Sequence, residues 1–302
     1  MYGGLDRIFL VNGDAFVLKA EYLKNIALKI KEYFPECKTI TMYASIQNIK
    51  AKTDEELKEL KELGINDLYV GVESGVEEVI THINKGHTVQ EAKEQLERLN
   101  KVGMTHRALL MLGVAGKGNG QQNAIETAKF LNETKPNLIW VGTLGVFEGT
   151  KMEQEVKEGT FVEATEIENL MELKTLLNNI ELENVPFYCV HTTNVIPVLG
   201  LLPRDRDQML QKIDAGIKSL GEEALSTTFK IMYQYDCVYI DLDDTLIVDG
   251  KVNYEIIAFL YKCINEGKKV ILLTRHSVNP LDTLEKYHIY NFFDQIIHLD
   301  NN

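Results

Sequence analysis

Along the first 150 positions, short apolar runs alternate with longer segments whose apolar residues recur at helical spacing. The short runs begin near Arg7 (RIFLV), Thr39 (TITMYAS), Asp67 (DLYVGVE), His106 (HRALLMLG) and Asn137 (NLIWVGT), at start-to-start steps of 32, 28, 39 and 31 residues. A strand, a crossover helix and the return to a parallel strand take roughly 30 residues, so the pattern predicts repeated βαβ units. Helices are expected over 20–34, 54–63, 89–102 and 122–133. Two of them open with capping boxes, Thr53-x-x-Glu56 and Thr88-x-x-Glu91, and two close on Gly64 and Gly103 just before the next strand. No GxGxxG follows the first strand, which favours a barrel over a doubly wound sheet. The run 68–73 is expected to be buried on both sides, as parallel strands usually are.

The chemistry gathers where these strands run out, the end at which such barrels hold ligands. After the first run stand Asn12, Gly13 and Asp14; after the second, Ser45; after the third, Glu73, Ser74 and Gly75; after the fourth, Gly113 and the loop GKGNG at 116–120, with Arg107 earlier on that strand. Taken singly, each glycine reads as a tight turn and Arg107 as half of a salt bridge. Their shared location makes them a candidate binding edge. Beyond it, a capped helix is expected over 165–183, then a strand-like PFYCVH ending on His191, a loop over 192–206 and a helix over 205–220.

Composition narrows the choices. The chain has 302 residues, 45% hydrophobic and 25% charged, with a net charge of −13. Lys and Arg number 26 against 34 Asp and Glu before residue 231, and 6 against 11 after it, so neither part has the basic excess that binds a phosphate backbone. Nucleic acid is therefore excluded as a partner. The four cysteines (37, 189, 237 and 263) form no CxxC pair and no secretory signal precedes them, which points to reduced thiols and a cytoplasmic location. The longest apolar stretch, 187–202, is broken by His191, Asn194 and Pro197, so no membrane span is expected.

A second pattern begins after residue 230. The run Cys237-Val-Tyr-Ile delivers Asp241-Leu-Asp243-Asp244-Thr245, a helix is expected over 254–266, and Lys269-Val-Ile-Leu-Leu leads to Thr274-Arg275-His276. Two carboxylates at i and i+2 past a parallel strand suit a nucleophile and an acid/base partner sharing one Mg2+. The plainer alternative is an acidic turn that caps a helix through Asp244 and Thr245.

These words carry two resemblances. GINDLYVGVESGVEEVITHINKGHT, VGMTHRALLMLGVAGKG, VGTLGVFEGTKM and HTTNVIPVLGLLPRDRDQML resemble the radical S-adenosylmethionine (SAM) superfamily over about 1–225. The resemblance implies a partial (βα) barrel, SAM and a [4Fe-4S] cluster as cofactors, and a small-molecule substrate. It assigns Gly13 and Asp14 to the methionine amino group, Glu73 and Ser74 to ribose and methionine, Arg107 to a carboxylate and Gly113 to a contact near adenine, with Ser45 on the same edge. The CxxxCxxC loop that holds such a cluster is absent, so the first strand and that loop are expected to lie before Met1 or to be lost, which would leave a sheet edge open to self-association. YIDLDDT and VILLTR resemble the haloacid dehalogenase-like (HAD) phosphohydrolases over about 236–302. This second resemblance implies the front half of a Rossmann-like domain, with Asp241 as nucleophile, Asp243 as acid/base, Thr245 as helper, Thr274 on the phosphate, and Mg2+ on Asp241 and Asp243. The expected organisation is therefore α/β, a radical SAM-like partial barrel over 1–230 and a truncated HAD-like module over 231–302. Three functions follow from it: a SAM-dependent radical enzyme incomplete in both sites, a phosphohydrolase completed by another chain, or a non-enzymatic binding remnant.

Overall fold

The computed structural model describes residues 5–11, 13–229 and 236–299; Asn12 and the junction around Lys230 lie outside them. The chain divides into two compact units, Met1–Ile231 and Met232–Asn302.

The first unit runs β1 (Arg7–Leu10), α1 (Ala20–Tyr33), β2 (Thr39–Ala44), α2 (Ile46–Lys50), α3 (Asp54–Glu62), β3 (Ile65–Glu73), α4 (Glu77–His82), α5 (Val89–Val102), β4 (Thr105–Leu112), α6 (Gly120–Thr134), β5 (Leu138–Thr143), α7 (Lys151–Glu158), α8 (Glu166–Asn179), β6 (Val185–Cys189), β7 (Val198–Leu202) and α9 (Arg206–Ser226). The strands form one sheet in sequence order, β1 to β6 parallel and β7 antiparallel to β6. Both capping boxes form at Thr53 and Thr88, and a third at Thr165 opens α8. Gly221, at φ +74, interrupts the helical backbone of α9 one residue past the expected end.

Two expectations need correction. The segment 192–206 is not all loop: VLGLL pairs antiparallel with β6, a short apolar run that its neighbours Pro197 and Pro203 disguise. Nor is β3 buried on both faces. Leu68, Val70 and Val72 are at most 1% exposed, while Tyr69, Gly71 and Glu73 are only half-buried. The same alternation holds in β4, where His106, Ala108, Leu110 and Leu112 are buried and Thr105, Arg107, Leu109 and Met111 are not. One face of the sheet meets the helices in a single core that includes Leu57, Leu60, Leu96, Leu99, Phe130, Leu173 and Leu177; the other face lines a cavity.

The second unit has its own core around Leu242, Leu246, Leu260, Cys263, Val270 and Leu272. Its elements are β8 (Cys237–Ile240), β9 (Ile247–Val248), β10 (Lys251–Val252), α10 (Tyr254–Asn265), β11 (Lys269–Thr274), α11 (Pro280–Lys286) and β12 (Gln295–His298). Strands β8, β11 and β12 are parallel in the order β12-β11-β8, and β9 and β10 form a two-stranded ribbon between β8 and α10. Among the described residues no helix is long and apolar enough to cross a membrane.

The exit of β3 packs closely against α6. A Cβ on Gly75 would sit 2.8 Å from the Glu126 carbonyl oxygen, 2.8 Å from Thr127 Cα and 2.9 Å from Phe130 Cβ. Two of those three contacts are to backbone, which cannot swing aside. Gly75→Ala is expected to cost about 1–3 kcal/mol in urea unfolding, and a loss under about 0.5 kcal/mol, the scatter of a surface change, would mean that α6 is free to move away from this turn.

Candidate functional site

At the carboxyl ends of β1 to β3, three side chains meet through α2. Asp14 Oδ2 accepts the Ser45 backbone N–H at 3.0 Å and the Asn48 side-chain amide at 2.6 Å, whereas Oδ1 is shielded from solvent and has no donor. Ser45 is used structurally: its hydroxyl accepts the Asn48 N–H and caps α2. Beside Asp14, Gly13 is open, with nothing within 4 Å of where a Cβ would lie. Glu73 ends β3 in the left-handed region at φ 62, at a register shift against β4. Such backbone costs a non-glycine residue about 1–3 kcal/mol and concentrates at functional sites. Lys85 Nζ donates to Glu73 Oε1 at 3.1 Å, and Gln47 of α2 donates to the Lys85 carbonyl. The Glu73 carboxylate folds back over Gly71, where a Cβ would stand 2.7 Å from Oε1.

Ser74 and Gly113 turn the other way. The Ser74 hydroxyl, 1% exposed with its residue, donates to Asn123 Oδ1 at 2.5 Å; Asn123 Nδ2 donates to Glu172 Oε1 at 2.6 Å; and the Gly113 N–H donates to Glu172 Oε2 at 2.9 Å. Gly113 sits at φ +75, and a Cβ there would lie 2.6 Å from Asn169 Oδ1. The groups expected to face ribose and adenine are thus consumed in a buried network joining the β3 and β4 exits to α6 and α8. Burial pushes the Glu172 carboxyl up to about 7 despite its two donors. Neither Asn123 nor Glu172 was singled out in the sequence, yet a signal exists: α8 carries Glu166, Asn169 and Glu172 on the stripe that also holds Leu170, Leu173, Leu176 and Leu177.

Arg107 belongs to a different end of the sheet. It lies on the third residue of β4, donates to Asp67 Oδ2 at 2.7 Å and stacks 5.0 Å from the Tyr69 ring centre. Asp67, nearly fully buried, also takes Arg7 at 2.6 and 2.8 Å and the Thr105 hydroxyl at 2.8 Å. The salt-bridge reading of Arg107 is the one the geometry supports, because strand position fixes it away from the carboxyl edge. Above this cluster the same face bears Phe9, Tyr43 and Tyr69, with ring centres 5.2 to 5.9 Å apart, and Trp140 and Tyr188 at 5.9 Å. These rings, with Leu109, Met111, Phe147, His191 and Thr193, border a cavity of about 550 Å³, although Tyr188 itself is not part of its lining.

In the second unit, Asp241 follows β8 and Thr274 ends the neighbouring β11. Asp243 is bound by His276 Nδ1 at 2.8 and 2.9 Å, and His276 Nε2 meets Thr283 Oγ1 at 3.0 Å. Thr274 Oγ1 accepts the His276 N–H at 3.1 Å. Asp244 adopts φ 55 in the turn, and Thr245 offers its carbonyl to Asn253. The helix that follows is capped by Asn253, so Asp244 and Thr245 do not cap it. Histidine 276 was passed over in the sequence because its partner is 33 positions away.

Comparison with known proteins bears on the front of the first unit. Residues 1–131 match the radical SAM superfamily. The heme chaperone HemW of Bacillus subtilis is 28% identical over 114 residues, which is 37% of this chain and 30% of the relative's length. Among solved structures, archaeal Elp3 from Methanocaldococcus infernus, with an N-terminal deletion, superposes with a TM-score of 0.52 at 18% identity, over 75% of this chain and 56% of Elp3. Coproporphyrinogen III oxidase (HemN) from Escherichia coli gives 0.40 at 17% identity, over 46% of this chain and 31% of that one. The likeness to Elp3 is one of fold. The radical SAM match ends before the second unit, so the HAD-like resemblance of 236–302 rests on its own motifs alone.

The family implies SAM and a [4Fe-4S] cluster, and the chain's residues answer the two differently. An acceptor without a donor on Asp14 and a carboxylate on Glu73 fit the ammonium and hydroxyl donors of SAM. Three thiolate ligands are another matter. Cys37, in the loop before β2, Cys189 of β6 and Cys263 of α10 are buried, burial pushes the Cys189 thiol up to about 12, and no group of three metal-ligating side chains exists among the described residues. The cluster does not fit these cysteines. Among the described residues no third carboxylate, imidazole or thiolate joins Asp241 and Asp243 in a metal-ligating group, and Asp243 is already held by His276.

Two buried groups set opposite pH dependences. The carboxyl of Glu172 moves from 4.5 to about 7 on folding, so between those values the unfolded chain has lost its proton, the native chain has not, and stability falls as pH rises. His106, fully buried with neither ring nitrogen partnered, moves from 6.5 to about 4, so stability is lost as pH falls through that window. Each shift is worth about 3 kcal/mol, and the two oppose between 4.5 and 6.5. Relative to wild type, Glu172→Gln is expected to gain stability from pH 4.5 to 7, and His106→Leu to gain it from pH 6.5 down to 4. Urea unfolding across pH 4–8 measures both differences; flat ones would show that neither group is buried as described.

Proposed function

We propose that the first unit binds S-adenosylmethionine along the carboxyl ends of β1 to β3 and serves radical chemistry on a small molecule. Asp14 Oδ1 carries the reading: a buried carboxylate oxygen without a donor costs about 1–3 kcal/mol or more, and a ligand ammonium there removes that cost. Gly13 leaves room beside it, and Glu73 offers acceptors to hydroxyl groups on the adjoining edge. When bound, the cofactor supplies an activated carbon–sulfur bond. The chain's own residues bind and orient it; Lys85 holds the Glu73 carboxylate, and α2 ties that pair to Asp14 through Gln47 and Asn48. HemW and Elp3 are considerably longer than the part matched here, so the substrate and the source of the cluster thiolates are not inherited from them.

Isothermal titration with SAM tests the reading. Asp14→Asn is expected to weaken binding at least ten-fold, about 1.4 kcal/mol, while Arg107→Lys, at the opposite end of the sheet, leaves it unchanged. Equal binding by wild type and Asp14→Asn, or no binding by wild type, would remove the proposal.

For the second unit we infer a phosphoester-directed site of the haloacid dehalogenase-like kind, supported by Asp241 and Thr274 at the carboxyl ends of neighbouring parallel strands. Asp241 is the candidate nucleophile, Asp243 the acid/base and Thr274 the phosphate contact. With Asp243 bound by His276 and no third carboxylate or imidazole grouped with the pair among the described residues, the charge-neutralising groups of phosphoryl transfer are not assembled there. Turnover of an aryl phosphate with Mg2+ is therefore expected to match that of Asp241→Asn. Wild-type turnover abolished by that substitution would show a complete site.

A further inference from the structure

The cavity on the inner face of the first sheet has a composition that selects its occupant. Its wall on β1 to β3 is made of three rings, Phe9, Tyr43 and Tyr69, each edge-to-face or tilted against the others at 5.2 to 5.9 Å. Trp140 of β5 and Phe147 add two more rings, and Leu109 and Met111 lie between. Gly142, one residue before the end of β5, brings no side chain into the cavity. Aromatic walls prefer another ring, offset or edge-on, by about 0.5–1.5 kcal/mol per pair beyond area burial, and methionine sulfur adds to that preference. The volume, about 550 Å³, is that of an ordinary small-molecule site.

Apart from the Tyr43 and Tyr69 hydroxyls on the wall, the polar side chains of the lining, Thr143, His191 and Thr193, stand together, and the role of the imidazole can be read. The Thr193 backbone N–H donates to His191 Nδ1 at 3.3 Å, and the Thr193 hydroxyl, which accepts the Thr143 N–H at 2.9 Å, lies 2.9 Å from the same nitrogen. Nδ1 is thus an acceptor, so the proton of the neutral ring is on Nε2, which meets no partner among the described residues. Thr143 Oγ1 and the Asn194 side chain are paired with each other. The cavity therefore offers a donor, His191 Nε2–H, at the rim of an aromatic wall.

We propose that this cavity binds a flat aromatic molecule carrying a hydrogen-bond acceptor, its ring against Phe9, Tyr43, Tyr69 and Trp140 and its acceptor on His191 Nε2–H. This names the substrate class of the radical chemistry proposed above and rests on that reading only for the reaction, not for the binding. Trp140 is the chain's single tryptophan, so its fluorescence reports occupancy directly.

The test titrates the whole chain with 2-acetylnaphthalene, with its fully saturated counterpart and with 2-ethylnaphthalene, which lacks the acceptor, reading Trp140 quenching and calorimetric heat. The naphthyl ketone is expected to bind at least ten-fold more tightly than the saturated ketone. Tyr69→Leu removes that preference and Tyr69→Phe keeps it. His191→Ala weakens the naphthyl ketone several-fold and leaves 2-ethylnaphthalene unchanged. Equal binding of the aromatic and saturated ketones, indifference to Tyr69→Leu, or no saturable binding at all would overturn the proposal. SAM titrated into the same samples separates the two readings: ketone binding without SAM binding keeps the cavity assignment and sinks the cofactor one, and the reverse result does the opposite.

Discussion

The buried carboxylate of Glu172 is the contact on which the working edge of the first unit depends. It reaches from α8 to the β4 exit through the Gly113 N–H and to the β3 exit through Asn123 and Ser74, so two loops that would otherwise move separately share one anchor. A buried carboxyl is tolerated because both of its oxygens receive donors, and any loosening of α8 would leave those donors unpaired at the desolvation cost of each. Rigidity at the β3 and β4 exits is thereby obtained from polar contacts in a place where apolar packing could not specify a loop position. The same arrangement explains why Glu73 can remain in left-handed backbone: Ser74 next to it is fixed from behind, and Lys85 holds it in front.

The sheet divides labour between its faces. Most helix-facing strand positions contribute to one continuous core, His106 being an exception, and the opposite face carries the aromatic wall with an ionic floor in which two arginines share Asp67. Packing needs only apolar volume, so the core side reads as valine, leucine and isoleucine. The open side must stay half-solvated and selective, and it is there that tyrosine, tryptophan, arginine and glycine appear on the strands. Alternation along β3 and β4 is the local consequence, since successive side chains of a strand point to opposite faces.

How much of this was legible depended on whether the signal was local. Capping boxes at Thr53, Thr88 and Thr165 and closing glycines at 64 and 103 are encoded within four residues, and the helices and strand steps they bound stand in the structure. Asp14 and Glu73 were legible as strand-end residues, and both stand at that edge. Ser45, Ser74, Gly113 and Arg107 were legible as positions but not as roles, because a role depends on a partner distant in sequence: Ser74 is 49 residues from Asn123, and Arg107 is 40 from Asp67. The antiparallel β7 was hidden for a different reason, a five-residue apolar run set between two prolines.

The second unit shows the same limit in the opposite direction. The motif Asp241-Leu-Asp243 predicts two carboxylates past one strand, and they are there, yet the local signal is silent about the imidazole that reaches Asp243 from beyond β11. An imidazole nitrogen facing both oxygens competes with a divalent cation for them. His276 is itself held from two sides, by Thr283 at Nε2 and by Thr274 at its backbone N–H, so releasing Asp243 means disturbing the residue that is the candidate phosphate contact. Asp243 and Thr274 are therefore linked through one residue, His276, by its imidazole and by its backbone N–H, and the position of that imidazole decides whether the Asp243 oxygens are open to a ligand or closed by a hydrogen bond.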